Sequence, residues 1–196
     1  MAGRPKGDGA ATHKRIVETA AQLFREKGYD GVGLQEIVEI GQVPKGSLYF
    51  HFPDGKEQIA KEAMTEAAMQ YYELIFKEAL VKRNQGLGVK EMLQAAFDAL
   101  RNQLLAHDFK MGCPIAALAQ THASPGIREL AARLYQGWET EIVSLLGLPK
   151  EKYTLATAVL ATVEGSLLLA RTYRSLEPLD QAERLLIIAL SSEGPS

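Results

Sequence analysis

Apolar residues recur at every third or fourth position along most of the chain, which is the spacing of one face of an α-helix. The first example is the stripe formed by Ile16, Ala20, Leu23 and Phe24. The body of the chain, after residue 56, shows no alternation of apolar and polar residues of the kind that a half-buried β-strand requires. The pattern therefore predicts an all-α protein of about nine helices.

Capping residues, glycines and prolines mark where these helices begin and end. Thr12 is the expected N-cap of the first helix, and Gly28 is expected to end it. Four of the residues from Met1 to Ala11 are glycine or proline, so this segment is predicted to be a flexible arm. The predicted helices cover about 12–27, 34–40, 44–52, 56–82, 89–107, 114–122, 126–146, 152–174 and 179–192.

The stretch Val43–Phe52 combines residue types that neither a buried nor a fully solvated helix would carry. Leu48 and Phe52 suit a packed face, whereas Lys45 and His51 suit a polar partner. Two short helices joined by a glycine-containing turn form the helix-turn-helix pattern, in which the second helix enters the major groove of DNA. The pattern predicts a three-helix DNA-binding domain over 1–55, followed by a helical body over 56–196.

This stretch resembles the TetR (tetracycline repressor) family, whose usual string here is close to A-G-V-S-K-G-T-L-Y-x-H-F. The layout of three head helices, a linking helix and five body helices is similar as well. The string Met111–Leu118 also resembles a subgroup, the lincomycin- and flavonoid-responsive repressors. The resemblance implies a ligand-binding and dimerising body, and DNA contacts at Gln35, Lys45, Gly46, Ser47, Tyr49, His51 and Lys56.

Several of these contacts keep an alternative interpretation. Gln35 could read adenine or lie on a solvated helix face, and Lys56 could clamp a phosphate or only aid solubility. Phe50 could enter the groove or pack beneath the helix. Arg4 and Lys6 of the arm could touch phosphate or the minor groove.

Two positions depart from the family pattern. Gly33 stands where the family usually has a threonine cap on the second helix. The turn glycine falls one place early, because Gly41 precedes Gln42. If the turn still needs a positive φ at residue 42, Gln42 is strained.

Inward-facing apolar stripes of the body supply candidates for a ligand pocket, although each residue could equally be ordinary core. Glu164 lies within an apolar run and, if buried, needs a partner: ligand, Arg171, Arg174 or a second subunit. The last two helices are apolar on more than one face, which favours a dimer. Pocket candidates are Tyr72, Phe76, Phe97, Leu100, Leu104, Phe109, Met111, Ile115, Leu118, Trp138, Glu164 and Leu168. Dimerisation candidates are Leu155, Val159, Leu160, Val163, Leu167, Leu186 and Leu190.

Charge and composition narrow the class of protein. The formal net charge is −2, but residues 1–56 carry eight basic and seven acidic side chains, which leaves DNA binding possible. A single cysteine, Cys113, excludes an internal disulfide and argues against a cysteine-based zinc site. A redox role for Cys113 and a metal site at His107 and His122 are both disfavoured, and no cofactor is predicted. A cytoplasmic protein is expected, since the start lacks a secretory signal and Glu164 interrupts the longest apolar run.

No nucleophile–base pair, paired carboxylates, phosphate loop or metal-ligand spacing points to an enzyme. Together with these observations, the resemblance to the TetR family implies a homodimeric transcriptional repressor that binds a palindromic operator and is released by a small, mostly apolar effector. The two recognition helices should lie about 34–36 Å apart, or a multiple of one DNA turn. The alternative is an activator, or a ligand-independent DNA-binding protein of the same fold.

Overall fold

The computed structural model describes residues 8–120, 124–149 and 153–191. Within these ranges the chain forms nine α-helices and no β-strand, which confirms the all-α prediction. The helices are α1 (Asp8–Lys27), α2 (Leu34–Ile40), α3 (Lys45–His51), α4 (Lys56–Asn84), α5 (Val89–Ala106), α6 (Ala116–Ala119), α7 (Pro125–Leu146), α8 (Tyr153–Tyr173) and α9 (Glu177–Ser191).

Two predicted boundaries are wrong. α1 begins at Asp8, so Thr12 lies inside the helix and residues 8–11 are not part of a flexible arm. The run Ala10-Ala11 favours helix and extends it toward the N-terminus. α6 covers only Ala116–Ala119 within the predicted 114–122, because Pro114 and Ile115 form a turn. Arg4, Lys6 and His122 lie outside the described residues.

The chain divides into two compact units whose boundaries differ from the predicted break after residue 55. The first compact unit contains residues up to Ala68 together with Pro114–Ala132. The second compact unit contains Met69–Cys113 and the residues from Arg133 onward. The start of α4 belongs to the first unit because Ile59 and Ala63 are fully buried there. α6 joins the same unit through its packing against α1.

The core of the first compact unit fixes the two short helices. Ile37 of α2 and Leu48 of α3 are buried, as are Ile16 and Phe24 of α1. Burial of an apolar side chain of this size contributes about 1.5–3 kcal/mol. Because α2 and α3 have only seven residues each, this packing must supply most of their stability.

In the second compact unit, α9 packs against both α5 and α8. Arg101 of α5 reinforces this packing, because it donates hydrogen bonds to Asp180 and Glu183 of α9 and to Asp98 of its own helix. α8 is long and apolar enough to cross a membrane by length and composition alone, despite the interruption at Glu164. Only 28% of its most apolar window is buried, so much of its apolar surface is available to another partner.

Candidate nucleic-acid interface and ligand cavity

α3 divides its side chains between a buried face and an exposed face. Leu48 and Phe52, four residues apart, are 1% and 0% exposed, whereas Tyr49 is 55% and Phe50 81% exposed. Lys45 and Gly46 are also exposed, and Ser47 and His51 are half-buried. The buried pair holds the helix against the first compact unit, so the remaining side chains form an outward surface. We call Lys45, Gly46, Ser47, Tyr49, Phe50 and His51 the α3 outer face.

The first turn of α3 has no side-chain cap. Pro44 occupies the N-cap position with an extended backbone, and no side-chain hydrogen bond is made there. The Ser47 N–H donates to the Pro44 carbonyl at 2.8 Å. The N–H groups of Lys45 and Gly46 lie at the end of the helix that favours anions, beside the Lys45 ammonium. This arrangement suits a phosphate group.

The C-terminal end of α3 is braced by a residue that the sequence analysis missed, His13 of α1. The His13 ring stacks on Phe52 with centroids 4.6 Å apart and meets His51 edge-on at 5.8 Å. Its Nε2 lies 2.9 Å from a carboxylate oxygen of Glu62 in α4. His13 therefore links α1, α3 and α4. Its position three residues before the Ile16 stripe was the only sequence signal that it lies near the core.

Lys56 and Gln35 lie in different surroundings. The Lys56 ammonium lies 4.3 Å from the centre of the Tyr29 ring, a cation–π contact that restrains it. Partial burial lowers the pKa of Lys56, while nearby Asp30 acts in the opposite direction. The exposed Gln35 amide instead donates to Glu39 on its own helix at 2.9 Å. This bond is typical of a solvated helix face.

In the turn between α2 and α3, residue 42 has the positive φ that its departure from the family pattern suggested. Gln42 has φ +50°, whereas Gly41 is right-handed helical with φ −71°. A Cβ at Gly41 would lie 2.8 Å from the Ile37 carbonyl oxygen and 3.1 Å from the Thr19 hydroxyl. Glycine is therefore needed at 41 for close approach to α1, and the left-handed conformation falls to Gln42.

The second compact unit contains an apolar cavity lined by α4, α5, α7 and α8. Its volume is about 80 Å³. Five of the predicted pocket residues line it: Phe76, Phe97, Leu100, Trp138 and Glu164. The sequence analysis missed Tyr71, Met92, Leu93 and Ile142, which line the same space. All four are apolar or aromatic residues of predicted helices, and hydrophobicity alone does not distinguish a cavity wall from ordinary core.

The other pocket candidates do not line this cavity. Leu168 was expected to point inward but is 59% exposed on α8. Tyr72 lies behind the wall and stacks on Phe76 at 4.9 Å. Leu118 and Ile115 belong to the first compact unit, and Leu104, Met111 and Phe109 are absent from the lining. Leu104 and Met111 are instead buried core residues.

Glu164 has no arginine partner, contrary to one predicted alternative. Arg171 donates to the Lys110 carbonyl at 2.9 Å, and Arg174 pairs with Asp108 at 2.5 Å. Within the described chain no salt bridge reaches Glu164. Burial raises the pKa of the Glu164 carboxyl, and a hydrogen bond from the Cys113 thiol acts in the opposite direction. These surroundings disfavour the charged form of the carboxyl group relative to a carboxyl group in water.

None of the predicted dimerisation residues is among the fully exposed side chains of α8 and α9. Leu167, Leu186 and Leu190 are buried within one chain, and Leu155 is half-buried. Val159, Leu160 and Val163 line the cavity instead. Apart from Tyr153 at the start of α8, the large exposed apolar side chains of these two helices make up what we call the α8–α9 outer face: Leu168, Leu169, Tyr173, Leu185 and Ile188.

No group of three His, Cys, Asp or Glu residues that could hold a metal occurs in 8–120, 124–149 or 153–191. Cys113 is buried, with its sulfur 3.9 Å from the Tyr135 hydroxyl.

A short outward-facing helix, held by a three-helix core and followed by a helical unit with its own cavity, defines a helix-turn-helix transcriptional regulator. The chain belongs to the TetR family of bacterial regulatory proteins. Residues 16–63 match the family's N-terminal domain, and residues 90–185 match the C-terminal domain of LmrA/YxaF-like transcriptional regulators.

Named relatives support this membership over nearly the whole chain. The uncharacterised HTH-type transcriptional regulator Rv0196 of Mycobacterium tuberculosis is 33% identical over 193 residues, covering 93% of this chain and 95% of the relative. The HTH-type transcriptional regulator LmrA of Bacillus subtilis is 32% identical over 176 residues, covering 86% and 90%. The regulatory protein TetR from Rhodobacter sphaeroides has a similar fold, with a TM-score of 0.79 at 22% identity over 89% of this chain and 96% of that one.

Proposed function

We propose that this regulator is a homodimeric repressor that binds a palindromic operator through the α3 outer face and is released by a small effector in the second compact unit. The first compact unit reads DNA, and the second holds the effector and dimerises. The protein acts in the cytoplasm, where its operator is accessible.

One observation carries the DNA-reading part of the proposal: the division of α3 between a fully buried pair and an exposed polar and aromatic face. Leu48 and Phe52 fix the orientation of the helix, so Lys45 and Tyr49 are presented outward without support from other contacts. Lys45 can bind guanine or phosphate, and the Tyr49 ring can contact a thymine methyl group. An exposed lysine is ordinary, but the Tyr49 ring, which is 55% exposed, leaves apolar area that a partner can cover.

The α8–α9 outer face supports a dimer. Leu185 and Ile188 of α9 are 58% and 71% exposed, and Leu168 of α8 is 59% exposed. On the exposed side of α8 lies Gly165, where an added Cβ would meet no atom within 4 Å. Small residues allow a second helix to approach closely. A two-fold dimer through this face would present two copies of α3 to a two-fold operator.

The cavity supports control by a ligand, because its aromatic and aliphatic walls suit an apolar effector. Release would follow if the effector prefers a conformation in which the two copies of α3 no longer match the operator spacing. A shift from mostly bound to mostly released requires a large difference in effector affinity between the two conformations, on the order of 10⁴-fold for a complete switch.

The test begins with selection of bound fragments from genomic DNA by the wild-type protein, followed by fluorescence anisotropy on the recovered site. We expect Lys45→Ala and Tyr49→Ala to weaken binding at least about tenfold while leaving the oligomeric state and thermal unfolding unchanged. In a plot of log K against the logarithm of the salt concentration, Lys45→Ala should also make the slope less steep by about one unit for each α3 bound. Lys77→Ala, an exposed lysine in the second compact unit, is the matched control. If both α3 variants bind the recovered site as tightly as wild type, the proposal that the α3 outer face reads DNA is refuted.

Repression is then distinguished from activation by measuring the transcript next to the bound site with and without the protein. If the protein is a repressor, its loss raises the level of that transcript. Addition of the effector must produce the same rise.

A further inference from the structure

The cavity of the second compact unit has an aromatic wall built around Trp138. The Trp138 ring is stacked with Tyr71 at a centroid distance of 6.0 Å and tilted against Phe76 at 6.2 Å. All three side chains line the cavity, together with Phe97. The faces of aromatic rings carry partial negative charge, so they attract cations as well as apolar groups.

Glu164 is the only ionisable acid or base among the lining residues apart from the Tyr71 phenol. It projects from α8 among Val159, Leu160 and Val163, which are apolar. Burial raises the pKa of its carboxyl group. A half-buried acid on an otherwise apolar wall is more costly to ionise than an acid in water, unless a positive charge arrives beside it.

The groups that surround Glu164 supply no such charge. The segment after α5 contributes the Cys113 thiol, α7 contributes the Tyr135 phenol and α4 contributes Tyr71. The pKa of Tyr135 is raised by burial and further by Cys113 and Glu164, so this phenol stays neutral. The lining residues of α5 are all apolar. On α8 itself, Arg171 donates to the Lys110 carbonyl at 2.9 Å, and among the described residues no salt bridge joins it to Glu164.

Resting on the proposed function, we propose that the effector is a hydrophobic organic cation whose positive centre lies between the aromatic wall and the Glu164 carboxylate. When a permanently charged cation binds, the Glu164 acid loses its proton to solvent and becomes the carboxylate partner. The carboxylate then balances the charge of the bound cation. At pH values where the free acid is protonated, one proton is released for each cation bound.

Other ligand charges fit these walls less well. A carboxylate ligand would bury a negative charge where no cationic side chain lines the cavity. A neutral hydrocarbon would gain apolar contact but no electrostatic contact with the rings or with Glu164. A cation gains all three contributions, so it is the class that uses every feature of the site.

The proposal predicts a pH dependence with a definite sign. A quaternary ammonium does not titrate, so any dependence of its affinity on pH reports a group on the protein. Because the Glu164 pKa is raised in the free protein and falls when the cation binds, affinity increases as pH rises. The increase is at most about tenfold per pH unit and stops above the pKa of the free acid.

Trp138 provides the readout, because it is the only tryptophan in the chain and lines the cavity. Its fluorescence would be titrated with benzyltrimethylammonium, its neutral carbon isostere neopentylbenzene, and 3-phenylpropionate at pH 5 and pH 8. We expect the cation to bind at least about tenfold more tightly than the isostere at pH 8, and to lose affinity at pH 5. Glu164→Gln should abolish the pH dependence and reduce the preference for the cation to the part that the aromatic rings supply, while leaving isostere binding unchanged. Glu141→Gln, an exposed carboxylate on α7 that does not line the cavity, should behave as wild type.

Three results would overturn this inference. If the isostere binds as tightly as the cation, or the anion binds best, the ligand class is wrong, while DNA binding and dimerisation remain as proposed. If Glu164→Gln leaves cation binding unchanged, the carboxylate is not the partner. If no probe binds, the cavity is not a ligand site, and the ligand-response part of the proposed function fails with it. DNA binding by the same protein, measured without probes, separates these failures from a failure of the DNA-reading assignment.

Discussion

Phe50 offers the sharpest test of how α3 meets DNA, because the free protein leaves it almost fully exposed. A phenylalanine side chain can bury roughly 200 Å², and at 81% exposure about four fifths of that area remains available to a partner. At about 25 cal/mol per Å², complete burial of that remainder would contribute about 4 kcal/mol. A ring that covers sugar or a thymine methyl group on one face only would contribute about half, or roughly 2 kcal/mol.

We therefore expect Phe50→Ala to weaken operator binding about thirtyfold for each α3 engaged, since 1.4 kcal/mol corresponds to a factor of ten. The free energy of unfolding should change by less than about 0.5 kcal/mol, because the substitution removes no core contact. Among the described residues, the Phe50 ring contacts one other ring, that of its neighbour His51, edge-on at 5.1 Å. Fluorescence anisotropy on the selected operator measures the affinity, and urea unfolding measures the stability.

Leu105→Ala is the matched control, because Leu105 is an exposed apolar residue of α5, 55% exposed, outside the α3 outer face. If Phe50→Ala binds the operator within about twofold of wild type, the ring makes no groove contact and the reasoning from exposed area is refuted. A large loss of stability would equally refute it, since that would place the ring in the core.

The remaining predictions concern the turn, the α5–α9 ion cluster and the dimer. Gln42→Gly should raise the free energy of unfolding by about 0.5 kcal/mol by relieving the positive φ, and Gln42→Ala should not; the urea midpoint decides between them. Arg101→Met should lower stability by about 2 kcal/mol, because it leaves Asp180 and Glu183 without their cation; exposed Arg133→Met, measured by the same thermal unfolding, should be neutral. Ile188→Glu should give a monomer in analytical ultracentrifugation where Leu105→Glu does not, and a persistent dimer would place the interface elsewhere.

The sequence was most informative where glycine and proline punctuate short helices. Gly33 and Gly41 bracket α2, whose predicted range is confirmed, and Pro44 marks the start of α3. The question about Gln42 was also answered, since the turn does require a positive φ there. The predicted start of α1 was wrong, because the good capping residue Thr12 is preceded by two alanines that extend the helix toward the N-terminus.

Sequence alone could not separate the cavity wall of α8 from its exposed face, because α8 is apolar around most of its circumference. Leu167 and Leu168 are adjacent, yet one is 2% exposed and the other 59%. One position rotates a side chain by about 100° around the helix axis, and hydrophobicity alone does not choose between two apolar neighbours. Only the position of α9 against α8 decides which face is covered.

The open space at Gly46 has a consequence for how this protein can vary. A methyl group added there would touch no atom of the free molecule, so folding imposes no demand for glycine at that position. If α3 reads DNA as proposed, whatever restricts residue 46 must come from the duplex. The sizes of the side chains that cells tolerate at residue 46 would then report how much space the bound duplex leaves beside α3.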